Sequence, residues 1–140
     1  MSRGRVPTRV SAPPSPWHHD TRTIVGRALD AGINFFDTAM AYSFGTSEEY
    51  VGAALRNAAP REDWVIATKY SPRPADAQDG VSGAEWIATC VDNSLCRLGV
   101  DTIDLYYMHS WDYYTPIEES MCHGDGGSDT LKQLNIISRF

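Results

Sequence analysis

Three short apolar runs limit what this chain can fold into more than any other feature. Residues 33–38 (INFFDT), 64–69 (WVIATK) and 103–109 (IDLYYMH) are dense in β-branched and aromatic residues, and their starts lie 31 and 39 residues apart. That is the spacing of successive strand–helix units, in which a right-handed crossover returns the chain to a parallel neighbour. All three runs are apolar on both faces, as strands covered on both sides require. The stretches between them carry helix signals. Asp20 stands as an N-cap before Ile24, Val25, Ala28 and Leu29 at helical spacing, with Gly32 as the stop. Thr46 with Glu49 reads as a capping box for a helix to about Ala58, closed by Pro60, with Val51, Ala54, Leu55 and Ala58 on one face. Ser82 with Glu85 reads as a second box, followed by a stripe of Ile87, Cys90, Val91, Leu95 and Leu98 and a stop at Gly99. A parallel α/β sheet is expected, and periodicity alone does not separate an open sheet from a closed barrel.

Composition narrows the function. The 140 residues leave room for one domain, and at 42% apolar they supply one sizeable core. The net charge of -6 is opposite to that of a general nucleic-acid binder, which draws its affinity from Lys and Arg. No apolar run approaches the roughly 18–20 residues of a membrane span, and no apolar stretch near the N-terminus resembles a secretory signal, so a cytoplasmic protein is expected. Charge is unevenly placed: residues 1–27 hold five arginines against a single acid. Residues 1–19, rich in Arg, Ser and Pro, read as a disordered leader, 20–121 as the folded domain and 122–140 as a divergent tail. A further helix is expected from 115–118 (TPIE), with Pro116 in its first turn, and GDGGSD (124–129) reads as a flexible break. Cys90, Cys96 and Cys122 make an odd count with no CxxC pair, so neither a disulfide framework nor a zinc site is expected. His18, His19, Cys122 and His123 fit no metal-ligand spacing and read as surface residues.

The residues able to do chemistry fall in one place. Asp37, Lys69 and His109 stand at the ends of the three runs, and Tyr42 lies in the loop after the first. The C-terminal ends of parallel strands form the ligand-binding edge of open α/β sheets and of (β/α)8 barrels. The residue types also suit one another. A free tyrosine, with a reference pKa of about 10, exchanges protons poorly near neutrality, and a neighbouring ammonium favours its phenolate. Lys69 is placed to supply that charge, Asp37 to orient Lys69, and His109 to hydrogen-bond a carbonyl oxygen beside the tyrosine. Such a set protonates an oxygen on which negative charge develops, and the hydride needed to reduce a carbonyl has to come from a nicotinamide or flavin. There is no GxGxxG, Walker A, GxSxG or HExxH sequence. The WDYY segment (111–114) suits either the wall of a substrate pocket or ordinary packing.

At these residues the chain resembles the aldo-keto reductase superfamily. INFFDTAMAYSFGTSEEYVGAAL is similar to the family's strand–loop–helix signature, with Asp37, then Tyr42 five residues on, then Ser-Glu opening a helix. WVIATK and CVDNSLCRLGVDTIDLYYMHSWD resemble the next two units in order and separation, so the likeness runs over roughly residues 22–121. It is nearest to the microbial branch related to aryl-alcohol dehydrogenases and to the potassium-channel β-subunit type. The resemblance implies a (β/α)8 TIM-type barrel, of which this chain holds about three strand–helix units. It also implies NADPH-dependent reduction of aldehydes and ketones, a small-molecule carbonyl substrate and no resident metal. Carried over by motif position, Tyr42 is the general acid, Lys69 tunes it, Asp37 partners Lys69 and His109 orients the carbonyl, while Asp37 and His109 also approach the nicotinamide end of the cofactor. Two departures stand out. The family's first strand is not recognisable in 1–19, and beyond Met121 the four further units that bind most of the cofactor are missing. Because such a barrel takes about 250 residues, the 140 residues are expected to be a partial domain. It is expected to self-associate through exposed barrel edges, and a non-catalytic relative lacking most of the cofactor site is the alternative.

Overall fold

The computed structural model describes residues 16–74, 80–110 and 136–137. Helix α1 (Pro16–Asp30) leads into strand β1 (Phe35–Asp37). A turn over Tyr42–Gly45 then opens helix α2 (Thr46–Ala58), a short turn at Arg61–Asp63 precedes β2 (Val65–Tyr70), and helix α3 (Gly83–Leu98) leads to β3 (Leu105–Met108). A two-residue strand β4 (Ile136–Ile137) pairs beside β3. All pairings are parallel, in the order β1-β2-β3-β4, so each strand lies next to its predecessor in sequence. This is the expected α/β arrangement of successive strand–helix units.

Alternation along the strands separates the layers, because successive side chains point to opposite faces of a sheet. Ile66 and Tyr70 of β2 and Tyr106 of β3 belong to one buried cluster with Val25 of α1, Ala54 and Leu55 of α2, and Ile87, Cys90, Val91 and Leu98 of α3. Each large aliphatic group so buried contributes roughly 1.5–3 kcal/mol, which makes this cluster the main source of stability. The intervening positions, among them Asp37, Lys69 and Tyr107, occupy the other face.

Helix ends depart from the expected caps in two places and match in a third. The first helix starts at Pro16, four residues ahead of Asp20, since proline is compatible with a first turn whose N–H groups have no partner in the helix. Thr46 does not cap α2: Gly45 does, in the left-handed region with φ 89°, and Thr46 is already helical. The box on α3 forms as expected, with Glu85 N–H donating to Ser82 Oγ at 3.2 Å and Ser82 N–H and Oγ–H both donating to Glu85 Oε2 at 2.9 Å. Those bonds, the backbone one first, hold the Glu85 carboxyl below its ordinary value of 4.5. Ala58 is exposed rather than on the buried face of α2.

The first strand is also less covered than an apolar run suggests. Phe35 is 48% exposed and Ile33 is exposed beside it, because β1 pairs with β2 alone among the described strands. Cys90 is buried and Cys96 exposed, as their six-residue separation implies. Burial pushes the Cys90 thiol up to about 12, against the opposing pull of Arg97, and it pushes the Tyr106 phenol upward as well. Of the expected disordered leader over 1–19, residues 16–19 instead form the first turn of α1, while residues 1–15, the helix from 115–118, the WDYY segment and the 124–129 break lie outside the described residues. Among the described residues, no helix is long and apolar enough to cross a membrane.

The α2–α3 contact depends on a missing side chain. A Cβ on Gly52 would stand 2.2 Å from the Leu98 carbonyl oxygen, a backbone atom that cannot swing aside. Gly52→Ala is therefore expected to destabilise the chain by roughly 1–3 kcal/mol through forced separation of the helices, read as a lower urea midpoint. A second expectation concerns acid. Because the folded state lowers the Glu85 carboxyl, its contribution is complete above 4.5 and is lost as pH falls through the folded-state value. Unfolding midpoints followed from about pH 5 to about pH 3 should fall more steeply in the unmodified chain than in Glu85→Gln, and equal slopes would count against this account.

Candidate active site

Backbone pairing carries the strand ends past their last assigned residues. Thr38 N–H donates to the Ala67 carbonyl at 2.9 Å, Met40 N–H to the Lys69 carbonyl at 3.0 Å, and His109 N–H to the Tyr70 carbonyl at 2.8 Å. Asp37, Lys69 and His109 thus stand on one continuous ladder at the C-terminal edge, and Lys69 is in register with Tyr107. Asp37, Lys69, Tyr107 and His109 are all odd-numbered positions on their strands or strand ends. Period-two alternation sends them to the face away from the helical core.

Lys69 is the centre of the group. Its ammonium donates to Asp37 Oδ1 at 2.6 Å and to the Thr38 carbonyl at 2.8 Å, which engages two of its three N–H donors. Its side chain is 18% exposed and that of Asp37 48%, so the pair sits at the border of solvent rather than in the core. The same Nζ lies 5.3 Å from the centre of the Tyr42 ring and 6.0 Å from that of Tyr107, within the roughly 6 Å over which a cation is attracted to an aromatic face. Tyr42 in turn meets the His109 ring edge-on, with centroids 5.7 Å apart and an interplanar angle of 82°. The four residues singled out by position in the sequence are therefore brought together: a phenol lies between an ammonium and an imidazole, and a carboxylate anchors the ammonium.

The Tyr42 loop is held in an unusual backbone. Ser43 and Phe44 take left-handed angles, with φ of 49° and 55°, and Gly45 follows at 89°. Left-handed conformation costs non-glycine residues of order 1 kcal/mol or more and persists where the surroundings over-determine it. Here a Cβ on Gly45 would come within 2.7 Å of the Arg97 side chain, so the turn is pressed against that arginine. The same turn leaves Tyr42 half-exposed and Phe44 fully exposed.

Sequence reasoning missed three contributors. Thr38 supplies a carbonyl to Lys69. Met40 accepts the Ser71 N–H on its sulfur at 3.3 Å, tying the Tyr42 loop to the segment after β2. Tyr107 flanks Lys69 from the neighbouring strand, and its place two residues before His109 on an alternating strand was the available signal. An open cavity of about 420 Å³ lies at the other end of the sheet, between Arg56, Trp64 and Asp101. It holds none of these groups. Arg61 on its wall is occupied, donating to the Trp64 and Thr102 carbonyls and to Asp104 Oδ2 at 2.8–3.0 Å. Among the described residues no group of three or more His, Cys, Asp or Glu is placed to hold a metal.

Comparison with known proteins places the chain among relatives of one family. An aldo-keto reductase of Bacillus subtilis, YhdN, is 44% identical over 94 residues, which cover 66% of this chain and 28% of that protein. An aldo-keto reductase of Schizosaccharomyces pombe named with NADP(+) is 35% identical over 103 residues, 71% of this chain and 30% of that one. Among solved structures, the holo form of aldo-keto reductase AKR11C1 from Bacillus halodurans superposes with a TM-score of 0.66 at 34% identity, over 86% of this chain and 42% of that one. The chain thus spans less than half the length of these relatives. With a strand-end tetrad on a parallel sheet, this solved neighbour, and a sequence profile described as the Aldo/keto reductase family that matches residues 17–135, the chain belongs to the aldo/keto reductase family.

Proposed function

We propose that the chain carries the proton-transfer residues of an NADPH-dependent reductase of aldehyde and ketone carbonyls. One observation carries this reading: a lysine ammonium, anchored by a carboxylate at 2.6 Å, stands over a tyrosine ring whose edge is met by a histidine at a strand end. Tyr42 is the general acid. Its Oη–H gives a proton to the carbonyl oxygen as charge builds there, and the nearby Lys69 ammonium stabilises the phenolate left behind. Asp37 and the Thr38 carbonyl hold that ammonium in place, and a ring nitrogen of His109 donates a hydrogen bond to the same substrate oxygen. The half-exposed phenol leaves the site open to an incoming carbonyl compound.

The donor set fits a nicotinamide partner by its chemistry, since these side chains move protons and hold an oxygen but none can deliver a hydride. NADPH supplies that hydride when bound. Asp37 and His109, at the strand ends nearest the phenol, are the residues of this chain proposed to hold its nicotinamide end. The cofactor assignment draws support from a Klebsiella pneumoniae aldo-keto reductase solved in complex with NADPH, 30% identical with a TM-score of 0.59 over 76% of this chain and 34% of that one.

Oxidation of NADPH in the presence of an aromatic aldehyde tests the reading. Tyr42→Phe, which keeps the ring and removes the proton, is expected to lower kcat by about 10²–10⁴-fold, with Lys69→Met falling in the same direction. Equal rates in Tyr42→Phe and the unmodified chain would remove the proposed acid. Titration of NADPH fluorescence separates the second reading, a non-catalytic relative: saturable binding supports the reductase, and no binding by the 140-residue chain supports the alternative.

A further inference from the structure

The ion pair at the candidate site is gripped from behind. Helix α2 lies on the opposite side of the sheet, yet two consecutive residues of its first turn reach the strand residues adjoining the pair. Ser47 Oγ and Thr38 Oγ1 share a hydrogen bond at 2.8 Å, and Thr38 is the residue after Asp37 whose carbonyl also accepts from Lys69. Glu48 Oε1 accepts from Thr68 Oγ1 at 2.7 Å, and Thr68 is the residue before Lys69. Glu48 is fully buried, and its second oxygen accepts from Arg97 Nε of α3 at 2.5 Å. That arginine lies directly beneath Gly45, at the end of the left-handed turn that presents Tyr42. Three parts of the site, the end of β1, the end of β2 and the tyrosine turn, therefore converge on one dipeptide and its arginine.

We propose that Ser47 and Glu48 are positioning residues: through Thr38 and Thr68 they set the separation of the β1 and β2 ends and hold the Lys69 ammonium on Asp37 beside Tyr42. The alternation of strand side chains makes this possible. Thr38 and Thr68 point to the helices while Asp37 and Lys69 point away, so a restraint applied to the buried hydroxyls is transmitted through a single peptide unit to the charged groups. The consequence for catalysis rests on the reductase reading, whereas the positioning of Lys69 does not.

The chain's composition supplies a direct assay. Lys69 and Lys132 are its only lysines, so brief acetylation with acetic anhydride followed by peptide mapping gives the accessibility of Lys69 Nζ, with Lys132 as the reference for the reagent. Buried Cys90 reports unfolding, because iodoacetamide reaches it only if the α3 packing opens. Ser47→Ala and Thr68→Val should each raise Lys69 acetylation by about 2–10-fold, the scale of one hydrogen bond, while Cys90 stays unlabelled. Ser47→Thr, which keeps the hydroxyl, should restore the original rate. Unchanged acetylation of Lys69 overturns the proposal, and so does labelling of Cys90 in step with Lys69, which reduces the contacts to general support of the fold. The aldehyde-reduction assay then tells the two readings apart. An inactive unmodified chain whose labelling behaves as expected overturns the reductase reading alone, and an active chain with unaltered labelling overturns the positioning alone. In an active chain, Ser47→Ala should lower kcat and leave KM unchanged, and a change confined to KM would overturn the catalytic consequence.

Discussion

A buried carboxylate organises the structure. Glu48 has no solvent to hydrate it, and a charge taken from water without compensation costs several kcal/mol. Its two oxygens are satisfied from different elements, one by a hydroxyl of β2 and the other by the guanidinium of α3. The arrangement is unforgiving. Loss of Arg97 leaves the buried carboxylate without its counter-charge, a larger cost than loss of the single Thr68 hydrogen bond. The Glu48–Arg97 pair adds a directional tie between α2 and α3 to their apolar packing. Gly52, with the Leu98 carbonyl against its backbone, permits the close approach that the Glu48–Arg97 distance demands.

The two faces of the sheet divide the work. On the helix side, Ile66, Tyr70 and Tyr106 are buried and the Tyr70 and Tyr106 rings stack 5.4 Å apart. The Tyr106 hydroxyl is buried without a hydrogen bond of good geometry, although the Ser94 hydroxyl lies near enough to offset part of the burial effect on its ionisation. On the other side the strands present charge and aromatic edges. A second polar tie operates at the opposite end of the strands, where Arg61 joins the Trp64 and Thr102 carbonyls and shares Asp104 with the Ile66 N–H, while its guanidinium lies 4.4 Å from the Trp64 ring centre. The strands are thus pinned at both ends, and the groups at the C-terminal edge work from a rigid base.

Much of this is legible in the residues alone. The strand positions follow from apolar runs that helical spacing cannot explain, and the Ser82–Glu85 box and Gly99 stop are local signals that survive folding intact. Asp37, Lys69 and His109 stand out because polar groups ending apolar runs need a reason. What escapes a linear reading depends on tertiary contact. The Thr46–Glu49 pattern has the letters of a capping box, yet the left-handed Ser43–Gly45 turn beneath Arg97 makes Gly45 the cap. Glu48 looks like one more first-turn acid until a threonine 20 residues away and an arginine 49 residues away enclose it. The short β4 strand is likewise invisible in a run, NIISRF, too brief and too mixed to announce a partner.

The strand order has a bearing on how the chain acquires its shape. Since β1, β2 and β3 each lie beside the one made before, no pairing among them has to wait for a distant segment, and their loop-closure costs stay those of single strand–helix units. The sheet can lengthen in the direction of synthesis, each emerging unit docking on an edge already formed. Chains of this topology suit assembly on the ribosome, where the N-terminal portion is free to settle first. In that order of events the Lys69–Asp37 pair can form once the second strand docks, before the third strand brings in the histidine that completes the group.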